Sequence, residues 1–249
     1  MPHTAAALLL AARRDPSQLL TDLPEALRPA DRAAAYVIQA AVMAELGEIG
    51  GWKVGSPSPD GPIQCGPLPA SGIMASPAQV PSEGSRIRGL EAEICFRMAH
   101  DLPPRGTPYT REEVVAAISA AHPAIELLES RFVDPDAISP FTNLADTQSH
   151  GAFIYGPGLV DWHGIDFAAE TVTQSVDGTV HMQRTGNPCG DMLRLMVWMA
   201  NEGAVWAGGL KAGQFVTCGS WTGKSSVGAH AKLHVSFPSV GEAAVDYMG

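Results

Sequence analysis

The segment RIRGLEAEICFRM, residues 86–98, carries two glutamates, Glu91 and Glu93, inside an otherwise apolar run. Residues i and i+2 of a β-strand project from the same face. A strand here sets the two carboxylates side by side and turns Ala92 and Ile94 toward a core. Adjacent carboxylates repel, and they are costly to bury unless a cation lies between them. The strand is therefore either a solvated sheet face, the commoner fate of charged side chains, or one wall of a cation site. A third carboxylate favours the cation site, and Glu126 in PAIELLESR supplies one, flanked by Ile125 and Leu127. Hard divalent cations such as Mg2+ take oxygen ligands of this kind. Glu129 is the weaker candidate, because an ion pair with nearby Arg131 accounts for it.

In GGWKVGS, residues 50–56, the same alternation puts Gly51, Lys53 and Gly55 on one face and Trp52 and Val54 on the other. Lys53 then projects from a face almost free of side-chain bulk, with room for a ligand beside its ammonium. Near a metal, or on burial, its pKa falls and it can move protons. A surface lysine in a glycine-rich turn is the plainer alternative. The stretch CGSWTGKSS, residues 218–226, falls short of a phosphate-binding loop. Its glycine comes one residue late, and the sequence that follows alternates like a strand rather than opening a helix. The turn can still offer backbone N–H groups to a carboxylate, which makes Gly219 and Ser220 candidate substrate contacts. Asp146, in the polar loop LADTQSHG, either orients a site or caps a turn. The eight histidines are scattered. Only His230 and His234 are close in sequence, and a structural or surface role suits that pair.

The wider pattern is α+β. Residues 1–50 read as a helical N-terminal lobe, with Asp31 as an N-cap, Gly47 as a stop, and Tyr36, Ile38, Val42 and Leu46 as an apolar stripe. Residues 51–249 read as a β-rich body. Within it, residues 56–85 read as loop from their Pro, Gly and Ser content. Residues 110–121 read as a helix opened by a Thr110/Glu113 capping box, and 187–203 as a helix ended by Gly203. Strand–helix alternation of the doubly wound kind is absent. A net charge of −10 argues against a nucleic-acid partner. No apolar run has membrane-spanning length. In MPHTAAALLLAARRD the basic pair follows the apolar stretch, the reverse of a secretory signal. The four cysteines form no CxxC pair, so a zinc finger or disulfide framework is not indicated and the cytoplasm is the default location.

Taken in order, GWKVGSPSP, GPLPASGIM, LEAEICFRMAHDLP, HPAIELLESRF, LADTQSHGAFIYG, GNPCGDMLRLMVWMANEG and GLKAGQFVTCGS resemble the fumarylacetoacetate hydrolase superfamily. The closer match is its branch of 2-keto-4-pentenoate (2-hydroxypentadienoate) hydratases and oxalocrotonate decarboxylases. The resemblance implies a mixed, rolled sheet like that superfamily's C-terminal domain, in a homo-oligomer. It implies Glu91, Glu93 and Glu126 as ligands of Mg2+ or Mn2+, and Lys53 and Asp146 as catalytic residues. It also implies substrate contacts from Gln64 and Leu68 in IQCGPL, beside Gly219 and Ser220. The implied chemistry is hydration of a small 2-oxo or 2-hydroxydienoate acid through a metal-chelated enolate. Decarboxylation of a 2-oxo diacid is the alternative, followed by acylpyruvate-type C–C hydrolysis or binding without turnover. Departures lie in the shortened IQCGPL loop, with Gln64 and Cys65 in place of an acid and the residues after it, and in Asp146-Thr147 where the branch has Asp-Asn.

Overall fold

The computed structural model describes all residues from Met1 to Gly249. The strands in chain order are β1 (Ile49–Gly55), β2 (Gln64–Pro69), β3 (Ile73–Ala75), β4 (Ala78–Pro81), β5 (Gly89–Met98), β6 (Ile118–Leu128) and β7 (His150–Tyr155). They continue with β8 (Thr171–Val176), β9 (Thr179–Thr185), β10 (Phe215–Cys218), β11 (Ser225–Ser226), β12 (Lys232–Phe237) and β13 (Gly241–Met248). The α-helices are α1 (Pro2–Arg14), α2 (Arg32–Leu46), α3 (Arg111–Ala116), α4 (Pro140–Ala145) and α5 (Met192–Trp198).

β5 and β6 pair antiparallel along nearly their whole length and form the middle of the larger sheet. Its strand order is β2-β1-β10-β5-β6-β7-β3, with β11 added to the end of β5. Parallel pairs β1·β10 and β3·β7 make it mixed. A second sheet, β4-β13-β12-β8-β9, packs against it. Trp52, Val54, Ala92, Ile94, Phe96, Ile125 and Val216 of the first sheet share one core with Leu233, Val235, Phe237 and Val245 of the second. β6 is buried along almost all of its length, as befits a near-continuous apolar run covered on both faces. β12 and β13 alternate buried and open positions, the mark of a strand covered on one face. The result is the expected α+β architecture.

The Asp31 side chain accepts from the Ala34 N–H, and Gly47 stops α2 at φ +100°. The helical layer does not close on itself. Ala5, Leu9, Leu23, Ile38 and Val42 pack with Phe132, Ile138 and Leu144 from far along the chain. No helix is long and apolar enough to cross a membrane.

Three local readings change. Residues 56–85 hold β2, β3 and β4 rather than loop. Pro67 and Pro69 suggest a loop, but β2 is a sheet edge, where a missing N–H costs little. The Thr110/Glu113 capping box forms, yet its helix ends at Ala116 and Ile118 opens β6, because pairing with β5 outweighs helical propensity there. The second long helix starts only after Asp191, whose carboxylate caps Leu193, and from Met199 to Gly203 it widens into a π-turn. Gly203 does end it. A β-carbon there would lie 2.5 Å from the Met199 sulfur and 2.6 Å from the Trp198 ring.

The two sheets touch closely at Gly156, where a β-carbon would lie 2.3 Å from the Glu242 carbonyl oxygen and 2.7 Å from Pro123. Backbone cannot yield as a side chain can. Gly156→Ala should cost about 1–3 kcal/mol by overpacking, read as a lower urea midpoint at unchanged slope.

Candidate metal centre

The β5·β6 register sets Glu91 directly opposite Glu126 and Glu93 opposite Ala124. All three carboxylates therefore share the sheet face away from the large core. One oxygen of each lies within 4.8 Å of the others. Lys53, on β1, lies beside Thr217 of β10 on that same face, and the Thr217 hydroxyl donates to Glu93. The Lys53 ammonium donates to Glu126 Oε1 at 2.7 Å and to the Gln148 carbonyl at 3.2 Å. Glu126 Oε1 takes a second donor, His150 Nδ1, at 3.0 Å. Glu126 Oε2 is buried with no partner at all.

Burial lifts the carboxyl pKa values and the neighbours decide the outcome. At Glu126, Lys53 and His150 outweigh burial and hold the group below its ordinary value. At Glu93, burial acts together with the charges of Glu126 and Glu91, and the value rises well above the ordinary one. Glu91 also rises through burial, with Lys53 and a hydrogen bond from Ser220 working against it. Lys53 is under opposing influences. Burial does push its pKa down, but Glu126, Glu91 and Glu93 push harder and the net direction is up. Burial takes His150 down to about 4. Its imidazole is neutral near pH 7, and because a carboxylate can only accept, Nδ1 carries the proton.

Three carboxylates facing one ammonium leave this site short of positive charge. An all-oxygen donor set with one orphaned, buried oxygen fits a hard divalent cation. The adjoining cavity is about 270 Å3, and its lining includes Lys53, Glu91, Glu93, Gln148, Gly219, Ser220, Asn143 and Lys224. Gly219 adopts φ +74°, and Asn187 Nδ2 ties down the carbonyls of Cys218 and Gly219. Trp221 N–H donates to the Ala92 carbonyl, and the Thr222 hydroxyl accepts from Ala92 N–H, so the turn is pinned to β5 between the two glutamates.

Thr147, Gln148 and Ser149 form a run of non-glycine residues at φ +51°, +53° and +58°. Each such residue costs of order 1–3 kcal/mol and persists only where its surroundings fix it. Here the run aims the Gln148 carbonyl at Lys53. Asp146 begins it. Its carboxylate accepts from Arg131 Nε at 2.5 Å, while Arg131 also donates to the carbonyls of Asp146 and His150. Asp146 is buried outside the cavity wall. Its carboxylate holds Arg131 and caps no turn.

Glu129 does not pair with Arg131; its carboxylate accepts from the backbone N–H groups of Arg86, Ile87 and Arg88. Leu68 is fully buried with Cys95, Ala124, Phe153 and Phe215. Gln64, half-buried at the start of β2, lies opposite Gly55. Neither lines the cavity. His230 lies in a turn at φ +66°, off the strand that carries His234, and His234 meets Glu242 on the surface. The sequence reading missed His150, which touches Glu126 from 24 residues away. Nothing local to the histidine signals that contact.

Asp146→Ala leaves the Arg131 guanidinium buried without its counter-charge and should cost about 3–5 kcal/mol. Combining it with Arg131→Met should cost no more than the single change, and equilibrium unfolding of all four proteins measures that coupling.

No family model matches the chain. In sequence, 131 residues are 31% identical to 2-hydroxyhexa-2,4-dienoate hydratase of Comamonas testosteroni, covering 52% of this chain and 48% of that one. A 4-oxalocrotonate decarboxylase of a Pseudomonas species is 30% identical over 141 residues, covering 53% and 50%. The chain thus spans about half the length of the curated relatives it matches. In structure, 4-oxalocrotonate decarboxylase of Pseudomonas putida G7, complexed with magnesium and adipate, superposes with a TM-score of 0.84 at 21% identity, over 100% of this chain and 98% of that one. A putative fumarylacetoacetate hydrolase family protein from Yersinia pestis superposes at 0.55 with 13% identity, over 79% and 91%. The chain shares its fold with 4-oxalocrotonate decarboxylase and with a putative fumarylacetoacetate hydrolase family protein, and over about half its length its sequence is similar to a dienoate hydratase and a 4-oxalocrotonate decarboxylase.

Proposed function

We propose that this protein is a divalent-metal-dependent lyase of the hydratase type, acting on a small 2-oxo or 2-hydroxydienoate acid such as 2-hydroxypenta-2,4-dienoate. One observation carries the reading: three carboxylates, one with an orphaned buried oxygen, converge beside a buried lysine, and Glu91, Glu93 and Lys53 line the adjoining cavity. Glu91, Glu93 and Glu126 would hold Mg2+ or Mn2+. The ion would supply Lewis-acid stabilisation of negative charge developing on the substrate's oxygens.

The chain's own groups do the rest. An ammonium has three donors, and Lys53 commits two, to Glu126 and to the Gln148 carbonyl. The third is free for the cavity. As an ammonium, Lys53 can bind a substrate oxygen or deliver a proton. Gly219 and Ser220, in the turn after β10, also line the cavity, and that turn can receive a carboxylate. His150 holds Glu126 through Nδ1, and Arg131 grips the His150 carbonyl. The Glu126 carboxylate is thereby fixed through Oε1, and Oε2 would be left for a cation.

Mg2+ at about 100 times its Kd should stabilise the protein by about 2.7 kcal/mol, a rise in Tm of roughly 5–10 °C for a chain of this size. Glu126→Gln should abolish that rise and the loss of 2-hydroxypenta-2,4-dienoate together. Equal rates in Mg2+ and in EDTA would refute the metal-dependent mechanism. Lys53→Met should cut turnover by about 10^2–10^4-fold and keep the Mg2+-dependent rise in Tm, which separates proton handling from metal binding.

A further inference from the structure

We infer that the cavity beside the end of α1 is a second ligand site, which holds a small oxyanion, the class of phosphate and carboxylates, on the guanidinium of Arg13. It is separate from the cavity beside the three glutamates, since Leu128 is the one lining residue the two have in common. The function proposed above makes no use of it.

The first support is an uncompensated charge. The cavity, about 390 Å3, is lined from the end of α1, the turn at residues 83–86, the end of β6 with residues 129–131, and the start of β7. Arg13 and Arg131 both line it, and both donate to the His150 carbonyl, at 3.3 Å and 2.8 Å. One carboxylate, Asp146, serves the two guanidiniums, and it is bonded to Arg131. Glu129 is taken up by the backbone N–H groups of Arg86, Ile87 and Arg88, and Glu83 is exposed and pairs with neither arginine. Arg13 therefore has a carbonyl for a partner and no carboxylate of its own. Burial and the neighbouring Arg131 pull its pKa down to about 10, against Asp146. A half-buried cation so placed is short of an anion.

The second support is the donor set. A guanidinium has five N–H donors in a planar fork that matches an oxyanion. Arg13 commits one of them, to the His150 carbonyl. Arg131 commits three, to the Asp146 carboxylate and to the carbonyls of Asp146 and His150. The buried hydroxyl of Ser130, also in the lining, accepts from Phe132 N–H, which leaves its own hydrogen to donate. Spare donors on two arginines and a serine around one space suit an oxyanion, which has lone pairs for all of them.

A basic pair in the last turn of α1 that answers the helix dipole is the competing account. It explains Arg14, which is exposed. It does not explain a guanidinium that reaches the carbonyl of a fully buried histidine beside a second arginine, in a chain whose net charge is −10. It also predicts no anion affinity that depends on Arg13.

The test uses the full chain with inorganic phosphate and acetate as probes, in EDTA so that no metal holds the anion, with affinities from calorimetry. At least one probe should bind saturably, and its affinity should fall as sodium chloride is added. Arg13→Gln keeps an N–H for the His150 carbonyl and removes the charge, and it should weaken that binding about 10- to 100-fold. Arg14→Gln makes the same change of charge at an exposed position of the same lining and should alter it by less than about 3-fold. In the unaltered protein the bound probe should protect Arg13 from phenylglyoxal, read by fragment mass spectrometry, a measurement that depends on no variant folding. Absence of saturable binding by both probes, binding that Arg13→Gln leaves unchanged, equal losses from the two variants, or an unprotected Arg13 overturns the assignment. An oligomer that dissociates on Arg13→Gln in light scattering, with neither probe bound by the unaltered protein, gives the cavity to a carboxylate of a second copy and overturns it as well.

Discussion

Three glutamates and one lysine on a buried sheet face are the constraint around which this protein is organised. Ionised carboxylates are costly to take out of water, and two of them sit on one strand at a spacing that forces them together. That commits one face of β5 to charge and the other to hydrophobic core. Ala92, Ile94 and Phe96 meet the second sheet, while Glu91 and Glu93 meet Glu126 and Lys53. A slip of one residue would exchange the two faces and carry both acids into the core. The register that assembles the site is therefore the one that the core also demands.

The charge is not balanced by the lysine alone, and the groups behind Glu126 add no net positive charge, since His150 is neutral and Arg131 is paired with Asp146. Glu126 holds two donors on one oxygen and none on the other. Behind it runs a polar chain: His150 on Glu126, Arg131 on the His150 carbonyl, Asp146 on Arg131. Asp146 shows what such a chain costs. Burial lifts its carboxyl pKa even though Arg131 pulls the other way. A buried ion pair of this kind is poor evidence for stability. Its better explanation is positional, because the same arginine and aspartate bracket the strained run at Thr147–Ser149 whose Gln148 carbonyl meets Lys53.

The parts of the fold legible in the sequence were those set by short-range periodicity. Glu91 and Glu93 in alternation, Lys53 between glycines, the Asp31 cap and the Thr110/Glu113 box all depend on residues within a few positions of one another. Glu126 was legible for the same reason, as an acid between Ile125 and Leu127 in a run too apolar for a surface. What escaped depended on register or on sheet position. His150 reaches Glu126 only after β6 and β7 have paired. Pro67 and Pro69 imply a loop until β2 proves to be an edge. The direction of the Lys53 shift needed all three carboxylates in place, because burial by itself acts in the opposite sense.

The glycine–lysine stretch near the C-terminus shows how a misleading motif can still carry physical information. CGSWTGKSS fails as a phosphate loop because it ends in a short strand, β11, where a helix would have to begin. Yet it shares with such loops the device of left-handed glycines, Gly219 at φ +74° and Gly223 at +71°, which fold the backbone back and present what comes next. Here that device is fixed to β5 through Ala92, the residue between the two glutamates. The turn that closes the cavity and the strand that supplies its acids are thus held as one rigid piece.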